Sequence, residues 1–343
     1  MRFLISFVAL FYPALASAHE VYVLPTRVVE NALSTSSFSE WRVLVENVGQ
    51  FSFWAILVAC VVFVVFYFSI SDWLEKRLDP LLARLPPFAP VISRVTIGIS
   101  FIAAAYYQAL FGPELPLSGV FAGYEHLMTI VLAVIGTMIT LGIYARIAAL
   151  VALALFGVEV ALHGIYMLTY ANYFGELILL LILGAHRIAV HHREHDARDR
   201  SAGFLRLKEV LTPFAFPILR VCFGISLLYS SLYAKILHNN LALEVAYAYP
   251  SLVRFFGFEP HFLVLGAAII EILIALFFIF GFEIRFTALF LLFWLTLSLI
   301  YFGEVVWPHI ILIGIPIAFL FYGYNKYSLE GRFFKKDGRE PVL

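Results

Sequence analysis

Apolar stretches long enough to cross a bilayer recur along this chain, near residues 51–70, 91–111, 124–141, 144–168, 172–188, 214–237, 261–280, 284–301 and 308–323. A helix of about 20 apolar residues spans a hydrocarbon core of about 30 Å. The runs do not alternate in polarity with a period of two, so a transmembrane barrel is excluded. With 62% apolar and 13% charged residues in 343, a soluble enzyme is excluded as well. No domain of this size has enough interior to hide so much apolar surface. The fold class expected is an all-α polytopic membrane helix bundle. Its partner is the lipid bilayer; zero formal charge gives no reason to invoke nucleic acid. Cys60 and Cys222 both fall inside apolar runs, which leaves no disulfide scaffold or thiolate cluster.

Residues 1–18 have the pattern of a signal peptide. Arg2 precedes a short apolar run broken by Pro13, and Ala16-Ser17-Ala18 is a small-residue cleavage site. Cleavage there would leave His19 first, whose α-amine and imidazole together could chelate copper(II); it can equally be a bystander. Residues 19–50 are then an exported stalk and residues 51–71 the lead span. Basic residues set the orientation. Lys76, Arg77 and Arg84, then Arg146, the 186–212 loop, Arg285 and the tail from Lys326 to Arg339 would all face the cytoplasm. Outer loops of the mature chain carry only Arg27, Arg42 and Arg254. The expected location is a bacterial or archaeal plasma membrane, with the amino terminus exported and the carboxyl terminus cytoplasmic.

The chain also repeats itself. Arg94-Val95-Thr96-Ile97-Gly98-Ile99-Ser100 returns as Arg220-Val221-Cys222-Phe223-Gly224-Ile225-Ser226, 126 positions later. Further on the separation is 139: Gly142 and Arg146 pair with Gly281 and Arg285, and Gly164, Gly175 and Gly184 with Gly303, Gly314 and Gly323. The reading is one lead helix plus two parallel four-helix repeats. These cover 91–189 and 214–323, joined by a linker over 190–213 and followed by a tail over 324–343. Repeats with an even number of spans are related by an axis along the membrane normal. The small residues allow close helix approach.

Ionisable residues inside spans are costly and carry the functional hypotheses. Glu271 lies ten residues before Gly281, about 15 Å from the inner edge, and Lys235 fifteen residues beyond Arg220, about 22 Å up. Glu159 is thirteen residues past Arg146, and His163 follows it one turn later on the same face. The halves differ here. Ala109 stands opposite Lys235, Leu132 opposite Glu271, Ser298 opposite Glu159, Phe302 opposite His163, Ile315 opposite Glu176 and Tyr170 opposite His309. Lys235, Glu271, Glu159 and His163 are the candidate catalytic residues, with a protonatable chain running through His163, Glu159 and Glu271. His309 and Glu176 are the candidate residues for holding a cofactor. Both pairs admit a purely structural role: a Lys235–Glu271 pair fixing helix register, and an i,i+4 Glu–His hydrogen bond. His126, His238, His261 and Glu304 gather near the outer surface.

The cytoplasmic run from His186 to His195 sets His191 and His195 at i,i+4, a spacing that suits a metal. A second box of that kind is missing, and the arginines mark a solvated helix end, so no metal site is expected. Walker loops, Cys-x-x-Cys pairs and Gly-x-Ser-x-Gly elbows are absent.

Arg220-x3-Gly224, Lys235, Glu271, Gly281-x3-Arg285 and Pro308-His309 together resemble the DoxX family of four-helix membrane proteins. The resemblance covers 214–323 well and 91–188 less well. It implies the four-helix fold. Because the family includes the membrane subunit of thiosulfate:quinone oxidoreductase, it also implies a quinone-linked redox subunit, or the membrane anchor of a respiratory or sulfur-oxidising system. Quinone is the cofactor so implied, with a redox partner protein to supply electrons. A transporter for a small solute or metal, or an assembly scaffold, are the alternatives.

Overall fold

A computed structural model describes residues 24–82, 84–185, 202–303 and 307–334. The signal peptide, His19, the run from His186 to His195 and Glu304 lie outside the described residues. Among those described, the only β pairing is one antiparallel bridge between Ala109 and Pro116. Two short helices, α1 (Thr26–Ser34) and α2 (Glu40–Asn47), precede the long α3 (Phe51–Leu82). The first bundle region holds α4 (Ala89–Tyr107), α5 (Glu125–Leu141), α6 (Ala145–His163) and α7 (Ala171–Leu183), with a 3-10 stretch at Gly164–Tyr170. After α8 (Ala202–Leu211), the second region begins with α9 (Ala215–Leu232), which runs into a π turn at Tyr233–Leu237. The short α10 (Asn240–Ala248) and α11 (Pro250–Phe256) lead to α12 (Pro260–Phe280), α13 (Ile284–Phe302) and α14 (Pro308–Tyr322).

Among the described residues, five stretches are long and apolar enough to cross a membrane: Pro86–Tyr107, Ala145–Leu183, Lys208–Leu237, Pro260–Phe280 and Ile284–Phe302. The apolar helices α5 and α14 are shorter. The chain is therefore a multi-pass, all-α membrane protein. A helix stands at each of the nine apolar stretches. The largest difference in bounds is α3, which continues past the expected end of the lead span through Pro80 to Leu82. Hydropathy marks where the lipid ends, whereas Leu74, Glu75, Lys76 and Arg77 are good helix formers that carry the helix onward.

Local chemistry sets the helix ends. Gly142 (φ 74°) and Gly281 (φ 69°) close α5 and α12 in the left-handed region, where a Cβ is penalised. In each case the next N–H reaches back to the helix, Ile143 to the Met138 carbonyl and Phe282 to the Phe277 carbonyl, both at 2.9 Å. Tyr144 and Glu283 then adopt positive φ before the following helix. The arginine two residues on is tied in the same way in both regions. Arg146 Nε donates to the Leu181 carbonyl (3.1 Å) and Arg285 Nε to the Leu320 carbonyl (3.2 Å), placing a cation on a helix C-terminus.

Small residues set the packing. Gly98 of α4 presses on the Gly136 carbonyl and Thr140 of α5; Gly224 of α9 presses on the Ala275 carbonyl and Ile279 of α12. Contacts between the two regions are reciprocal. Gly175 of α7 lies against Cys222 and Leu219 of α9, and Gly314 of α14 lies against Thr96 of α4. Each region thus offers its last helix to the other's first. Side chains at these glycines would force the backbones apart, and close approach is what holds helices together in lipid.

The segment read as a stalk is folded against the bundle. Leu24, Val29 and Ala32 pack on Leu241 and Val245 of α10, and Val43 packs on Phe262 and Leu265 of α12. Between α1 and α2, the fully buried Asn239 grips an extended strap. Its Oδ1 accepts from Phe38 N (3.0 Å) and its Nδ2 donates to the Phe38 carbonyl (2.8 Å). The Asn240 Nδ2 donates to the Thr35 and Ser36 carbonyls at 3.2 and 3.0 Å.

Candidate functional site

A cavity of about 170 Å³ lies between the two regions, at the end of the bundle carrying the 108–116 and 233–259 loops. Its walls come from both. The first region contributes Glu114, Tyr166, Tyr170 and Tyr173; the second contributes Ser230, Tyr233, Lys235, Glu271, Trp294 and His309.

Lys235 reaches the cavity because the α9 helix loosens into a π turn at Tyr233–Leu237. Such single wide turns recur at functional sites, since they rotate a side chain off the regular helical register. The Lys235 Nζ sits 3.0 Å from Glu271 Oε2, with the lysine side chain 7% and the glutamate 21% exposed. A pair this deep persists because each charge would be costly alone. His309, the second residue of α14 and also buried, faces the same space.

Glu114 arrives from the tight 108–116 loop. Gln108 turns the chain with positive φ, Leu110 N donates to the Leu115 carbonyl and Leu117 N to the Gln108 carbonyl, both at 2.9 Å. Two phenols hold its carboxylate: Tyr166 OH donates to Oε1 at 2.9 Å, and Tyr170 OH donates to the same oxygen. Gly112 lies so close to the Tyr170 hydroxyl and the Glu114 carboxylate that no Cβ fits there. Behind this pair, Tyr173 OH shares a 2.7 Å hydrogen bond with Ser100, and Ser226 Oγ donates to the Thr169 carbonyl.

The expected site residues divide. Lys235, Glu271 and His309 meet in the cavity. Glu159 and His163 do not line it; they pair with one another on α6, His163 Nε2 lying 3.2 Å from Glu159 Oε2, with the glutamate fully buried and the histidine 40% exposed. Glu176 is fully buried one turn further along α7 from Asn172 and Tyr173, also outside the lining. A single protonatable chain through Glu159, His163 and Glu271 is thus not assembled by these contacts. His261 lies at the surface beside Glu259 (3.3 Å) and meets the Phe38 ring edge-on (4.7 Å). His238 packs on Tyr233 with ring centroids 4.6 Å apart.

Residues that reading the spans alone passed over include Glu114, Tyr166, Tyr173, Tyr233 and Trp294. A signal for part of this set was present. Tyr166, Tyr170 and Tyr173 recur at i, i+4 and i+7, one helical face of phenols, and Glu114 is the single acid in a Gly-Pro-Glu-Leu-Pro turn. Chemically, the cavity offers a ring-sized space with aromatic walls, two carboxylates, an ammonium and an imidazole. No protein-family model, curated protein or solved structure matches this chain.

Proposed function

We propose that this is a DoxX-like integral membrane protein serving as a quinone-linked redox subunit, with the cavity between the regions as its quinone site. The observation carrying this reading is the aromatic cavity holding Lys235, Glu271 and His309 together. A space of about 150 Å³ accommodates one benzene ring, so about 170 Å³ suits a single quinone head group. Quinone reduction takes up two electrons and two protons. Lys235 and His309 are donors for the ring oxygens, and Glu271 is placed to exchange protons with them. A redox partner protein supplies the electrons. The equivalent contacts made by Gly98 and Gly224, by Gly175 and Gly314, and by Arg146 and Arg285 support reading the regions as two copies of one unit. With the basic loops cytoplasmic, the cavity faces the exported side of a bacterial or archaeal plasma membrane.

The test is quinone binding, read by tryptophan quenching in nanodiscs, for Glu271→Gln and Lys235→Met. At least a tenfold loss of affinity is expected in protein that still folds, together with a lowered melting temperature because each change strands one partner of the buried pair. Unchanged affinity removes both residues from any quinone site. A second reading, a small-solute transporter, draws on the cavity's position at the seam between two parallel units, where transporters bind their cargo. Solute flux into liposomes without quinone binding would favour it.

A further inference from the structure

The charge lining the cavity is unbalanced. Its ionisable groups other than tyrosines are Glu114, Glu271, Lys235 and His309. Lys235 sits in an ion pair with Glu271. Glu114 is supplied by the other region, and the Tyr166 and Tyr170 hydroxyls both donate to its carboxylate. Two carboxylates then face one ammonium. Protonation of His309 brings the sum to zero and no further. The largely apolar walls screen this excess less than bulk water would.

We infer that Glu114 is the charge-selectivity residue of this cavity: it admits neutral single-ring ligands bearing hydrogen-bonding oxygens and rejects anions. The inference rests on the cavity being a ligand site and deepens the quinone reading. Unit charges about 6–8 Å apart at an effective dielectric of about 20 repel strongly enough to cost roughly thirty- to a hundredfold in affinity. A quinone and its quinol, both neutral, pass this filter. A sulfur oxyanion does not, so an anionic electron donor has to react outside the cavity, at a partner protein or another face, with only electrons reaching the bound ring. Gly112 contributes to the same device, because a larger residue there would displace the phenol and carboxylate that define it.

The isosteric probes benzamide and benzoate test this by calorimetry on the whole chain in nanodiscs. Glu114→Gln keeps the shape and an oxygen for the two phenols while removing the charge. Benzoate affinity is expected to rise at least tenfold in Glu114→Gln, benzamide to stay within about twofold, and Glu114→Asp to reject benzoate like the natural chain. Comparing variants cancels the different partitioning of the two probes into lipid. Equal benzoate affinity in the natural chain and Glu114→Gln, at whatever level, overturns the proposal. Hydroquinone measured alongside separates the two readings. Its failure to bind while Glu114→Gln still gains benzoate sinks the quinone site and leaves the charge filter standing.

Discussion

The two bundle regions solve one packing problem in opposite ways. In the first, Phe111 fills the space enclosed by α4, α6 and α7, its ring centroid 6.0 Å from Phe101, 5.2 Å from Phe156 and 5.1 Å from Tyr173. Leu132, Ala109 and Phe101 close the same space, all buried. In the second region the positions paired with these three by the sequence repeat are Glu271, Lys235 and Leu227, and the space they border is open. Tyr170 and Tyr173 stand between, backing Phe111 on one side and lining the cavity on the other. At these paired positions charges stand where there is room for a guest, and apolar side chains where there is none. This is the economy expected of lipid, where a polar group without a partner costs several kcal/mol.

The contrast is broken most directly at Phe111. Phe111→Ala is expected to cost about 3–5 kcal/mol, seen as a drop in melting temperature in detergent, and to give the first region an apolar cavity of its own. A small effect would mean that the ring is not what keeps that half shut. Next come the two glycines that set the shared frame. Gly98→Ala and Gly224→Ala should each destabilise by about 1–3 kcal/mol, because both new methyls would meet backbone of the facing helix, whereas Gly157→Ala, with open space around it, serves as the near-neutral control. Clearly unequal losses at Gly98 and Gly224 would show that the two frames are not equivalent. The smallest effect is expected at Glu159→Gln. That change should alter stability by on the order of 0.5 kcal/mol, since its histidine partner is 40% exposed, and leave ligand binding in the cavity unchanged. Weakened binding would return the Glu159–His163 pair to the site.

How much of this was legible in the sequence depended on whether the deciding contact was local. Helices stand where apolar runs predict them, because in lipid the backbone has no other way to satisfy its hydrogen bonds. Gly142 and Gly281 mark helix ends for an equally local reason, the positive φ required there. Lys235, Glu271 and His309 were visible as polar residues within or opening spans. Glu114 was not, since an acid in a turn looks solvated until the turn is folded onto two tyrosines from another helix. The Glu159–His163 spacing was informative about a shared face and silent about what that face meets. Nothing local in the sequence distinguishes the strap from a stalk, because its partners, Asn239 and Asn240, lie about two hundred residues away.

That strap also bears on how the molecule is made. Residues 35–38 are synthesised early and the asparagines that hold them late, after the whole first region and α9. The segment therefore has to wait undocked until the 237–240 turn is made. Leu241 lines the cavity and is also packed under α1, so the docking that completes the amino-terminal cover completes the cavity wall as well. A chain stalled before this point would have an undocked strap and an incomplete cavity wall together.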